Sequence, residues 1–333
     1  MNGDILATLV DPAVLFFVVG LFIGAIGSNL EIPPPIAKFL SLYLLMAIGF
    51  KGGQALGDGG LSRGAVGVLV SALLLALVTP IVWFLFLRRR IDEFDAAAIA
   101  ATYGSVSAVT FVVASQFAAS QGNEAGGYLA VALVIMESPA IVMAVLLSTL
   151  VRSRRIAEGA ARGGSSAHAS VSIKKVLHEA FTDGAHLLLI GSMVVGALTG
   201  EDGGKAMAPF TGGIFKGLLA FFLLEMGLLV ARQLREVRDV GPFLTGFGIV
   251  VPFVNASAAM VLGSIFNMSV GDLTVLAALA ASGSYIVVPA VVRYAIPEAR
   301  PSKYFTLALG VTFPVNVVIG IPVFHQVAKI IAG

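Results

Sequence analysis

Long apolar runs broken by brief charged punctuation set the pattern of this chain. A membrane-spanning helix needs about 20 mainly apolar residues, and the uncharged intervals reach that length repeatedly. There are 19 uncharged residues between Asp11 and Glu31, 24 between Arg63 and Arg88, and 28 between Asp95 and Glu124. Another 32 lie between Asp239 and Asp272, 20 between Asp272 and Arg293, and 25 between Lys303 and Lys329. Asp183 to Glu201 holds 17, a short span. Three further runs, 35–53, 126–151 and 212–231, carry charges inside or near their ends. The pattern predicts ten spans and an all-α integral membrane protein.

Composition agrees. Only 12% of the 333 residues are charged and 58% are hydrophobic, against about 25% charged in a soluble domain; the mean hydropathy is +0.96. The net charge of +2 says little, because the sign of each loop matters more than the sum. Lysines and arginines collect on alternate loops, 16 on one side and 5 on the other. The positive-inside rule puts the richer side in the cytoplasm and both termini outside. Asp4 and Asp11 precede the first run with no basic residue, which predicts a retained span rather than a cleaved leader. With no cysteine, disulfides, thiolate metal sites and a cysteine nucleophile are excluded.

The Gly/Ser-rich stretch within 152–182 reads as a cytoplasmic linker between two halves, 1–151 and 183–333, of five spans each. The halves resemble each other. Gly24 answers Gly196, Gly49 answers Gly227, Pro80 answers Pro252 and Pro139 answers Pro314, at offsets of 172 to 178. An odd number of spans per half forces opposite orientations, so the expected architecture is an inverted repeat, as in many secondary transporters.

Spans four and nine break the apolar rule. Span four contains Gly104, Ser105, Ser107 and Thr110; its counterpart contains Ser282, Gly283, Ser284 and Tyr285, with Pro289 following. Backbone that leaves the helical ladder at membrane depth survives only inside protein or beside a cavity. Paired interruptions at matching repeat positions predict discontinuous helices and a midplane ion site. The competing reading is close packing by small residues. Of the ionisable groups inside spans, Glu137 reads as a cation ligand or a packed, protonated residue, and Glu225 as a snorkelling group or a partner of Arg232. Asn255 and Asn316 read equally as interhelical glue or as carbonyl ligands. The lack of an intraspan aspartate argues against proton exchange. His168, His178, His186 and His325 all fall in loops or near span ends, which argues against an intramembrane metal site, and no catalytic or nucleotide-binding motif is present. The chain is therefore expected to be neither an enzyme nor a nucleic-acid binder, and to use no cofactor beyond sodium as a coupling ion.

The segments "LEIPPPIAKFLSLYLLMAIGFKGG", "YGSVSAVTFVVA", "MESPAIVMA", "AASGSYIVVPAVVRYAIPEARPSKY" and "GVTFPVNVVIGIPVF" resemble those of the SbtA-type sodium-dependent bicarbonate transporters, over nearly the full length. The resemblance implies ten spans in two inverted halves and a core domain moving against a gate domain. It also implies a homotrimer in the cell (inner) membrane and, in some members, a cytoplasmic PII-like regulator. Its anion site would fall on Gly104, Ser107, Thr110, Ser282 and Ser284. Tyr285 stands where the family carries an aspartate, Gly283 where it carries a serine, and Ala108 and Val109 where glycine and serine are usual. The expected function is sodium-coupled import of a small monovalent anion, bicarbonate first. Sodium is assigned to Glu137 and Asn316. Another small carboxylate as substrate, or a non-transporting anion sensor or scaffold, are the alternatives.

Overall fold

The computed structural model describes residues 12–59, 63–160 and 184–332. All regular structure among them is helical: α1 (Pro12–Ala25), α2 (Pro34–Gly59), α3 (Arg63–Leu87), α4 (Glu93–Gly104), α5 (Ala108–Ser120), α6 (Leu129–Ala160), α7 (Gly184–Ala208), α8 (Phe215–Leu234), α9 (Pro242–Ile265), α10 (Val270–Ala281), α11 (Val287–Ala295) and α12 (Pro301–Ala332). Seven helical stretches are long and apolar enough to cross a membrane, and α1 and α10 are shorter apolar helices. The molecule is an all-helical, multi-pass membrane protein. Its outer faces fit a lipid solvent: Phe16 and Phe22 on α1, Val78 and Leu85 on α3, and Val250 and Val261 on α9 are exposed.

Two helix pairs lie unusually close. A Cβ added at Gly53 of α2 would sit 1.9 Å from the Met193 carbonyl oxygen of α7, and one at Gly227 of α8 would sit 2.2 Å from that of Phe17 on α1. Gly196 lies against Phe50 and Gly20 against Leu224 in the same way. Only glycine permits such backbone approach, the usual device for joining helices in lipid. Gly53→Leu is expected to force α2 from α7 at a cost of about 3 kcal/mol, the upper end of what overpacking typically costs. A lowered unfolding temperature in detergent checks this; an unchanged one would mean that the two helices part freely.

The broken pair α4–α5 occupies the centre. Within Glu93–Ser120, 94% of the most apolar stretch is buried, against 44% in α3. Local chemistry sets its ends. Asp92 caps α4 by accepting from Phe94 N at 2.9 Å, and acidic Glu93 and Asp95 favour the positive helix end. Ser269 caps α10 in the same way, accepting from Asp272 N at 3.1 Å.

Two buried carboxylates anchor these N-termini. Asp95 accepts from the Arg300 backbone N–H and side chain and from Lys303 Nζ. Asp272 accepts from Gly126 N at 2.8 Å and from the Tyr128 hydroxyl. The Tyr128 hydroxyl is the donor in this bond.

At the arginine-rich end, Arg152 pairs with Glu298 at 2.7 Å and Arg155 with Asp92 at 2.7 Å. Partial burial opposes ionisation of both carboxyls, but their arginine hydrogen bonds prevail and hold them below the usual range. Their contribution is therefore complete above the ordinary carboxyl range and fades as pH falls through the lowered values.

Three features differ from the sequence reading. Helix α6 continues to Ala160, into the segment expected to be a linker; most of that segment, with His168 and His178, lies outside the described residues. Helix α12 contains two π-helical stretches, Leu307–Thr312 and Asn316–Gly320. His325 does lie near the C-terminal end of α12, but its ring is fully buried, edge-on to Phe117 and 3.0 Å from Thr274 Oγ1. Thr274 spends its proton on Val270 O, so the histidine donates through Nδ1.

Candidate functional site

The two interruptions meet. Helix α4 ends at Gly104 and α5 begins at Ala108; α10 ends at Ala281 and α11 begins at Val287. Ser282 Oγ accepts from Ser107 N at 2.9 Å and donates to Leu279 O at 2.7 Å. Ser284 N donates to Thr102 O at 3.0 Å. The breaks are thus stitched to each other through groups that a continuous helix would have used internally. Each following helix is capped from its own break: Ser107 Oγ accepts from Thr110 N at 3.1 Å, and Ser284 Oγ from Val288 N at 3.2 Å.

A cavity of about 60 Å³ opens beside this crossing. A water occupies about 10–15 Å³ on this measure, so a few water-sized groups fit. Ser107 and Ala108 line it from the first break, Ser284, Tyr285 and Val287 from the second, and Glu137 from α6. Ser41 of α2 and Ala185 and Leu189 of α7 close it. Among the described residues the lining holds one carboxyl and no lysine or arginine. The first-turn N–H groups of Ala108 and Val287 have no intrahelical acceptor and lie at the positive ends of α5 and α11.

The sequence candidates divide. Ser107, Ser284, Tyr285 and Glu137 share the cavity, whereas Gly104, Ser105, Thr110, Ser282 and Gly283 lie in the breaks or their flanks but not in its lining. Gly104 packs against Pro80, and a Cβ there would meet the proline ring at 2.5 Å. Gly283 is not so confined, its nearest neighbour standing 3.4 Å from an added Cβ. Asn316 lies behind the crossing, where its side-chain N–H donates to Ala281 O at 2.8 Å, so the two proposed sodium ligands are not brought together in one lining. Asn255 accepts from Trp83 Nε1 at 2.9 Å, an interhelical tie. Glu225 makes no ion pair with Arg232, which reaches Glu31 instead at 3.6 Å.

Several buried oxygens around the crossing have no hydrogen-bond partner among the described residues: Thr102 Oγ1, Ser105 Oγ, Thr110 Oγ1 and Asn316 Oδ1. Such groups are rare in the interior of a folded protein. Tyr285 is held edge-on by Phe313, with ring centroids 5.6 Å apart. Ser41 was missed in the sequence; its only signal is a lone hydroxyl in an apolar helix. Among the described residues no cluster of histidine and acidic side chains could hold a metal ion.

No curated protein matches the chain. The family model described as the Na+-dependent bicarbonate transporter superfamily matches residues 12–329. With a match over nearly its whole length, the chain belongs to that superfamily and is a membrane transporter rather than an enzyme.

Proposed function

We propose that the protein imports bicarbonate together with sodium through the cavity at the crossed breaks. The carrying observation is the lining: among the described residues it has hydroxyls, two positive helix ends and a single carboxyl, with no basic side chain. Backbone N–H groups of Ala108 and Val287 and the hydroxyls of Ser107, Ser284 and Tyr285 would bind the anion. A sodium ion bound beside the anion would offset the anion's charge, which is the reason for reading the transport as sodium-coupled. Oxygens for sodium are available around the crossing at Thr102, Ser105, Thr110 and Asn316, and Glu137 lines the cavity itself.

The architecture we infer is ten spans in two inverted halves, 1–151 and 183–333, joined by 152–182. The glycine contacts support it. Gly24 lies against Leu228 and Ala231, and Gly196 against Phe50 and Gln54; Gly49 lies against Leu189, and Gly227 against Phe17. Exchanging the halves at the offsets read from the sequence converts each contact approximately into its partner. Asp95 and Asp272 stand at equivalent places in this scheme. The pairs α1–α8 and α2–α7 would form the gate, and the broken helices with their neighbours the core. The arginine-rich end would face the cytoplasm, with both termini outside the inner membrane. A homotrimer and a PII-like regulator acting at the linker complete the reading by family resemblance.

The test is uptake of radiolabelled bicarbonate into vesicles, with and without an inward sodium gradient and with small carboxylates as competitors. Ser107→Leu and Ser284→Leu should each reduce uptake to background while the protein still assembles in the membrane. Normal uptake by both variants would move the site elsewhere. Binding without uptake by the wild type would favour a sensor.

A further inference from the structure

Glu225 stands in the apolar stretch of α8, half-buried. Among the described residues it takes part in no ion pair and no hydrogen bond. It faces the crossing. Phe222, one turn away on the same side of α8, lines a narrow space with Ser41, Leu45 and Ala108, which also border the main cavity. Tyr285 lies within electrostatic reach of the Glu225 carboxyl.

A charged carboxyl inside a span is costly unless something neutralises it. Neither α1 nor the π-helical Leu307–Thr312 stretch, both packed on α8, carries an ionisable side chain. Helix α2 offers Lys38, Tyr43 and Lys51, the crossing offers Tyr285, and the segment after α8 offers Arg235, Glu236, Arg238 and Asp239. On α8 itself, Lys216 lies at the far end and Arg232 is bonded to Glu31. None of these is within ion-pair distance of Glu225. A sodium ion needs several converging oxygens, whereas a proton needs one.

We propose that Glu225 is a proton-binding site of the gate: its carboxyl is neutral in the arrangement seen here and releases its proton to water when the gate and core faces separate. This rests on the core-and-gate reading above. It makes the packed state lose stability, and uptake slow, as pH rises through the titration of this one group.

Two measurements test it across about pH 5 to 9, the range open to a carboxyl in apolar surroundings. The first is the unfolding temperature of the solubilised protein. In the wild type it should fall toward alkaline pH; in Glu225→Gln, which mimics the neutral acid, a component of that fall should vanish, and Glu225→Asp should restore it. The second is vesicle uptake at fixed bicarbonate and sodium, where the alkaline decline of the wild type should flatten in Glu225→Gln. If wild type and Glu225→Gln show the same pH profile in both measurements, Glu225 is not the proton site. If the wild type takes up no bicarbonate at any pH, the transport reading fails, while the unfolding measurement still decides the role of Glu225.

Discussion

Asp95→Ala is expected to destabilise the protein by about 3 kcal/mol, the lower end for breaking a buried ion pair. The carboxylate is 2% exposed and accepts four hydrogen bonds: from Arg300 N at 2.9 Å, Arg300 Nε at 3.2 Å, Arg300 Nη2 at 2.9 Å and Lys303 Nζ at 2.9 Å. These join the first turn of α4 to the start of α12, so the broken helix is fixed to the core at its arginine-rich end. Alanine leaves the Arg300 backbone N–H and the Lys303 ammonium without their acceptor. Lys303 is only 14% exposed and pays most of the resulting desolvation; Arg300, 63% exposed, can turn to water, which keeps the loss near the lower end. Asp272→Ala should cost less, because Asp272 accepts from the neutral Gly126 N–H and Tyr128 hydroxyl. Thermal unfolding of the solubilised variants gives the order. A smaller loss for Asp95→Ala than for Asp272→Ala would mean that water already screens the Asp95 cluster.

These two aspartates show what could and could not be read from the chain. As the first charges bounding long uncharged runs, they marked helix ends correctly. Their burial depends on partners far away in sequence, which no local pattern reveals. The breaks in spans four and nine were legible because glycine and hydroxyls at membrane depth need a reason. The stitch from Ser107 N to Ser282 Oγ was not, since it depends on how the two breaks cross. Local spacing offered Arg232 as a partner for Glu225; the structure gives Arg232 to Glu31, on the segment between α1 and α2. Ser41 reaches the cavity because α2 packs there, and its neighbours in sequence carry no sign of it. Asn316, at the start of the second π-helical stretch of α12, donates to Ala281 O, a contact that no local pattern announces.

Glu137→Gln is expected to abolish sodium-driven accumulation of bicarbonate while leaving the anion able to bind. Glu137 is 7% exposed and is the only acidic group in the cavity lining among the described residues. Two like charges about 4 Å apart repel by about 4 kcal/mol at an effective dielectric constant of about 20. A sodium ion bound beside Glu137 and the anion would offset that repulsion, and this is the coupling that the variant tests. Glutamine keeps the shape and one carbonyl oxygen but removes the charge. The anion no longer needs a companion, and sodium loses its strongest ligand. Bicarbonate should therefore stabilise solubilised Glu137→Gln against heat without added sodium, whereas the wild type should need sodium for the same effect. In vesicles, an inward sodium gradient should no longer drive accumulation by the variant. If Glu137→Gln keeps the wild-type sodium dependence in both measurements, the cation is held around the crossing by the oxygens of Thr102, Ser105, Thr110 and Asn316, and Glu137 serves only to shape the cavity wall.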